Sequence, residues 1–315
     1  MNNIVNFNNV VTSIFYKNPF EQSFNGSALD FNITTGEVFT PMFEESSCEK
    51  KAVIKMDDNG NPVDWWVVGK DYYVKSHRDF FGSIERELMN NIDPNHLSGV
   101  EITTKSSRGG RWGMRQYVFP NVTCPVETNT GFTTNINLRI VSWSGLDGGT
   151  ANNYIIGLFD GYCLNGCVFT RAANKKDAYV KRYKRNSKNF NLDFFCADIM
   201  DAVEVFYEQS EEFQLMAQKP LSLQQGWDFI ENIKTFSEAK KESMKELFTR
   251  ELTVRGNNVF SLHSAFTNYS SHKNDDLFRS RTTKHEDVEA EILFKREEEI
   301  TNILNSNSWR ELLAA

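Results

Sequence analysis

Within residues 99–160 lie four strand-like runs, one of them with an imperfect period of two, and across residues 193–218 apolar side chains recur at helical spacings. A chain that changes period in this way folds as a sheet followed by a helix, because period two lines one face of a strand and period 3.6 one stripe of a helix. The strand-like runs are 99–104, 113–119, 134–144 and 153–160, separated by Gly-rich or Asn-rich turns. Within the third run Ile136, Leu138, Ile140 and Ser142 alternate with Asn137, Arg139, Val141 and Trp143, an imperfect period of two. This order predicts an antiparallel meander. The helical stretch is about seven turns long, enough to cover an apolar sheet face, and Phe195, Ile199, Val203 and Phe206 fall on its expected buried side.

The flanks are read in the same terms. Residues 1–35, rich in Asn and Phe, suggest an irregular or edge-strand beginning. From Ala52 two apolar runs surround an Asp-Asn-Gly-Asn-Pro turn, the punctuation of a β-hairpin. A short helix is expected over 83–89, ending before Asp93-Pro94. Beyond the long helix, Ser222 and Gln225 form a capping-box pattern opening a helix over 222–233, and Ser237 opens another over 237–250. Gly256-Asn257-Asn258 is a turn before a helix over 259–272, and an acidic helical tail over 286–315 suits packing or oligomerisation. The expected fold class is α+β, an antiparallel β-meander covered by a long amphipathic helix with a helical C-terminal region. The segments are 1–95, 96–220 and 221–315.

At 315 residues, with 40% hydrophobic and 24% charged residues, the chain can bury a sizeable core. No run approaches the roughly 18 consecutive apolar residues of a membrane helix, and the polar start lacks the layout of a signal peptide, so a cytoplasmic location is expected and no membrane partner. The cysteines Cys48, Cys124, Cys163, Cys167 and Cys196 contain no CxxC pair, and the histidines lack HExxH or zinc-finger spacing. Neither a disulfide framework, a metal site nor a cofactor is expected.

Net charge is −7, which argues against a uniformly basic nucleic-acid binder. The charge is nevertheless uneven. Residues 171–188 hold eight cations against the single acid Asp177, a local +7, so the rest of the chain carries −14. Lys175, Lys176, Lys181, Arg182, Lys184, Arg185 and Lys188 interleave with Tyr179, Tyr183 and Phe190, the combination that tracks phosphates while rings stack on bases. The same run also reads as a solvated face balancing acidic neighbours. A second candidate is Arg108-Gly-Gly-Arg111-Trp112-Gly-Met-Arg115, where glycines permit close backbone approach and arginines meet phosphates; its plain alternative is a Gly-rich hairpin tip.

Other features carry less. Ser144 near Asp147 has no His close in sequence and no GxSxG context, so it reads as a turn. Cys163 and Cys167 do not have metal spacing. His263 and His272, nine apart, lie on opposite sides of a helix. No assembled nucleophile, base or metal set supports an enzyme.

Two stretches resemble phage and plasmid proteins of domain-of-unknown-function family 932. One is the turn Trp143-Ser-Gly-Leu-Asp147-Gly-Gly followed by a strand and Asp160-Gly-Tyr-Cys163-Leu-Asn165-Gly, with Asp160 where the family tends to have Arg. The other is GNNVFSLHSAFTNYSSHKND, with Ser264-Ala265 in place of Asn-Ala and Tyr269 and His272 retained. The resemblance spans roughly residues 100–275 and implies a phage or mobile-element origin without an activity. The order of strands then a long helix is also similar to the core of phage single-strand annealing proteins, an analogy of fold. The expectation for function is a phage-encoded single-stranded DNA-binding or annealing protein in an infected host, non-enzymatic and homo-oligomeric, using Lys175, Lys176, Lys181, Arg182, Tyr183, Lys184, Arg185 and Lys188, with Arg108, Arg111, Trp112 and Arg115 as a second patch. The alternative is a structural or host-interaction protein whose basic segment binds an acidic protein surface.

Overall fold

The computed structural model describes residues 18–39, 46–150, 152–161, 165–168, 180–182, 192–272 and 288–314. The fold is α+β. Of the stretch 1–35, expected to be irregular or an edge strand, residues 1–17 lie outside the described residues, and the departure is a short helix: Asn18 accepts the Phe20 backbone N–H at 3.0 Å and Pro19 occupies the first helical position, starting α1 (Pro19–Phe24). Phe20 and Phe24, four apart, are both buried. A three-stranded antiparallel sheet follows, β1 (Asn32–Phe39), β2 (Ser46–Met56) and β3 (Pro62–Gly69) in that order, with the expected hairpin between β2 and β3.

Helix α2 (His77–Asn91) is longer than its apolar run because Ser76 caps it, accepting the Asp79 N–H at 3.0 Å. After α3 (Pro94–Leu97) comes the meander: β4 (Glu101–Ser107), β5 (Trp112–Glu127), β6 (Thr133–Gly145) and β7 (Asn153–Asp160), neighbours in sequence and in space. The imperfect alternation of β6 has a structural cause. Ile136, Leu138 and Ile140 enter the main buried cluster, whereas Val141 and Trp143 enter a second cluster on the opposite face. Both faces of this central strand are covered, so apolar residues take both parities.

The long helix α4 (Leu192–Gln218) contributes Ala202, Val205, Phe206, Phe213 and Met216 to the main cluster, shared with Tyr117, Phe119 and Leu138 of the sheet. Its end is pinned to the β5–β6 turn, where Gln214 Nε2 donates to Glu127 O at 2.7 Å and Gln218 Nε2 does so at 2.8 Å. Helices α5 (Leu223–Glu231), α6 (Glu238–Arg255) and α7 (Val259–Ser271) follow, and both sequence-expected serine caps are present. α7 is buried almost all round, and its buried residues include Ser261, His263, Ser264, Thr267 and Ser270. Segments 1–95, 96–220 and 221–315 all supply residues to the main cluster.

Helix α8 (Glu289–Leu304) and short α9 (Asn307–Ala314) end the fold. α8 lies on the second face of the larger sheet, where Ala290, Leu293 and Phe294 meet Met114, Val141, Trp143 and Ile155. Carboxylates on α8 find cations on the strands: Glu297 receives Arg139 at 2.7 Å in a fully buried pair, and Glu289 receives Lys105. The acidic tail therefore packs on its own sheet.

Candidate nucleic-acid interface

The larger sheet ends in two short strands, β8 (Asn165–Val168) and β9 (Val180–Arg182), both antiparallel to β7. Val168 pairs with Gly157 and Val180 with Ile155, so β8 and β9 occupy successive stretches of one edge, interrupted across Ile156. Lys181 opposes Tyr154 and Arg182 opposes Asn153, which places these two residues of the basic run in the sheet. Lys175, Lys176, Tyr183, Lys184, Arg185 and Lys188 lie outside the described residues, as do Tyr179 and Phe190.

The second patch is corrected by the structure. Arg115 is 0% exposed. Its Nε lies 2.7 Å from Glu85, it donates to Thr104 Oγ1 at 3.0 Å, and it donates to Ser23 Oγ at 2.7 Å and the Phe20 carbonyl at 3.1 Å. Tyr117 completes the cluster by donating to Glu85 Oε1 at 2.8 Å. Burial pushes the Glu85 carboxyl above its ordinary value, against the pull of Arg115. A buried guanidinium needs every one of these partners, so Arg115 belongs to the interior and not to a phosphate-binding surface.

Trp112 is buried too, with its indole N–H on Asp147 at 2.8 Å. Arg108 donates in bidentate fashion to Glu291 of α8 at 2.8 and 2.9 Å, donates to Asp147 at 2.9 Å and stacks over Trp112. Hydrogen bonding to Glu291 and Asp147 outweighs desolvation and raises its pKa further. Arg108 adopts φ 57, a left-handed conformation unusual outside glycine, at the β4–β5 turn. Arg111 donates to both Asp64 oxygens at 3.1 Å and lies over Trp66. The hairpin tip is thus an electrostatic rivet joining the two sheets and α8, and Asp147, one half of the Ser144 and Asp147 pair, is a structural acceptor.

His263 and His77 are both buried. His263 is fully buried among Phe213, Phe260 and Trp309 with neither ring nitrogen hydrogen-bonded, and desolvation, with Arg255 nearby, lowers its pKa to about 3. His77 pairs with the Gly110 carbonyl at 2.7 Å, and burial lowers it to about 4. His272 supplies the backbone cap of α7. Among the described residues no group of His, Cys, Asp and Glu could hold a metal ion, and no helix is long and apolar enough to cross a membrane. Asp160 forms a buried pair with Arg255 at 2.6 Å and accepts from Thr134 at 2.6 Å.

One surface escaped the sequence reading. β3 exposes Val63, Trp65 and Val67 at 56%, 65% and 41%, while Trp66 and Val68 are buried beneath. The signal was present in the run Val63-Asp-Trp-Trp-Val-Val68, since adjacent tryptophans in a strand cannot share a face.

In comparison with known proteins, no family model matches the chain, and no curated protein or solved structure matches it significantly.

Proposed function

We propose that the chain is a non-enzymatic single-stranded DNA-binding or strand-annealing protein that works as a homo-oligomer. Lys175, Lys176, Lys181, Arg182, Lys184, Arg185 and Lys188 form its phosphate track, and Tyr183 stacks on a base. The observation that carries this reading is the distribution of cations. The hairpin arginines are buried or bound to carboxylates, whereas residues 171–188 gather a local charge of +7 within an acidic chain. β9 ties that run to a sheet edge, which gives a strand-tracking groove a fixed base.

The competing reading, in which this run meets the acidic tail of a neighbouring copy, has less support. Glu297 is buried against Arg139, and Glu299 receives Lys240 at 2.9 Å, so both carboxylates are bound within their own chain.

The test is fluorescence anisotropy of a labelled oligo(dT) against salt, with duplex DNA as control. Binding should weaken linearly in log salt, and reversing Lys181, Arg182, Lys184 and Arg185 to Glu should abolish it while lowering the slope by about 0.7 per lost contact. No binding at low salt would sink the proposal. Unchanged DNA binding with loss of an oligomer, seen by light scattering, would favour an acidic protein partner instead.

A further inference from the structure

The second face of the larger sheet is more than an apolar wall. Directly opposed residues of antiparallel strands share a face, so the register sets Lys105, Met114 and Trp143 in one row, Thr103, Gln116 and Val141 in the next, and Glu101, Val118 and Arg139 in a third. Phe159, opposite Asn137, lies one row further on the same face. Cations, an amide, a hydroxyl and aromatic rings on one sheet face are the groups with which proteins take up unpaired nucleotides. The row of Trp143 runs on through Asn153 to Arg182 of β9, so this face and the start of the basic run belong to one sheet. α8 covers the face with acid: it carries five carboxylates against Lys295 and Arg296, and Glu289 sits on Lys105, Glu291 on Arg108 and Glu297 on Arg139.

The seam under α8 is incompletely filled. A cleft of about 280 Å³ remains between the sheet, α8 and the end of α7, lined by Thr103, Gln116, Arg139, Trp143 and Phe159 among others. The buried indole N–H of Trp143 has no acceptor. A permanent core seam is close-packed with its donors satisfied, whereas this one keeps room and a donor. On the reading of this chain as a single-stranded DNA binder, we propose that α8 is an autoinhibitory stand-in for nucleic acid: its carboxylates occupy phosphate positions on this sheet face, and a single strand displaces α8 and takes the face in its place. The buried pair selects the occupant. When Glu297 leaves, Arg139 loses its carboxylate, and an uncompensated guanidinium is costly, so an apolar partner does not suffice and an anion must follow. Trp143 and Phe159 add rings on which bases stack. Glu101 is exposed at the outer end of the Arg139 row, so the strand's path runs from Arg139 and Lys105 towards β9 and not out past β4. Only molecules with α8 undocked are competent, so the apparent affinity falls by that fraction and rises when the partly exposed Glu289 and Glu291 pairs are loosened.

The experiment uses the full chain and labelled oligo(dT) at low salt. Glu289→Gln combined with Glu291→Gln should tighten binding about three- to tenfold, the effect of loosening two partly exposed ion pairs. Glu238→Gln combined with Glu242→Gln, exposed acids of α6 whose loss changes net charge equally, should not tighten it comparably. Circular dichroism of both variants should match the parent. In the unaltered chain, oligo(dT) should speed amide hydrogen exchange across α8 while exchange in α6 stays as it was. Binding of oligo(dT) with α8 exchange unchanged or slowed would overturn the inference and leave the basic run as the DNA site, and so would a Glu289 and Glu291 variant no tighter than the α6 control. If no form of the chain binds oligo(dT), the single-stranded DNA reading itself fails and this one with it.

Discussion

Single buried polar residues set the chemistry of this interior more than any surface motif does. Arg115 illustrates the cost: with its guanidinium at 0% exposure and paired to Glu85, truncation leaves an uncompensated carboxylate, so Arg115→Ala should destabilise the fold by about 3–5 kcal/mol in chemical denaturation. His263 imposes a pH dependence. Its folded pKa, about 3, lies below the ordinary value of 6.5, so its neutral form belongs to the native state while the unfolded chain takes up a proton first. The associated stability is complete above pH 6.5 and declines as pH falls from 6.5 towards 3. His77, lowered to about 4, adds to the decline from 6.5 towards 4. Each histidine costs about 1.4 kcal/mol per pH unit inside its window. His263→Leu should remove its share, flattening the plot of denaturation midpoint against pH between 6 and 4; an unchanged plot would contradict the assignment. None of this was legible in sequence. A histidine in a helical pattern carries no mark of burial, and Arg115 looked like a surface cation because the acid that holds it comes from α2 and the Phe20 carbonyl and Ser23 hydroxyl from α1.

Among the elements, the long helix and the meander were readable because their periods extend over many residues. Phe206, placed on the inner side of α4 by spacing alone, is fully buried, and Phe206→Ala should cost about 3–5 kcal/mol, measured by thermal or urea unfolding. Val203 is only partly buried beside it, and the side chains of Phe195 and Ile199 lie outside the described residues. Helix crossings could not be read in this way. Gly226 of α5 sits so close to α6 that a Cβ there would run into the Phe248 ring. Gly226→Ala should therefore lower stability by about 1–3 kcal/mol despite its better helix propensity, and restoring space with Phe248→Leu should recover part of the loss. A lone glycine in a helical pattern announces neither its partner nor its distance. Start signals did better where the cap was explicit, as at Ser222 and Ser237, and failed at α1, where Asn18-Pro19 was obscured by the Asn-rich sequence around it.

For the whole molecule, the decisive feature is α8, whose bonds reach back across most of the chain to Lys105, Arg108 and Arg139. Ending the chain at residue 288 should uncover Met114, Val141, Trp143 and Ile155 and raise binding of a hydrophobic dye such as anilinonaphthalene sulfonate above that of the full chain. The sequence showed that this tail was acidic and amphipathic but not what it covers, since its partners are local to no pattern. The order of synthesis gives the same arrangement a further meaning. A ribosome completes β7 well before it makes α8, and at roughly 5–20 residues per second the outer face of the nascent sheet waits for about seven to thirty seconds without its cover. During that interval an unsealed apolar surface is presented to every other nascent chain nearby. The speed of translation between β7 and α8, and the chaperones present while that stretch is read, therefore bear on the yield of this fold alongside its finished stability.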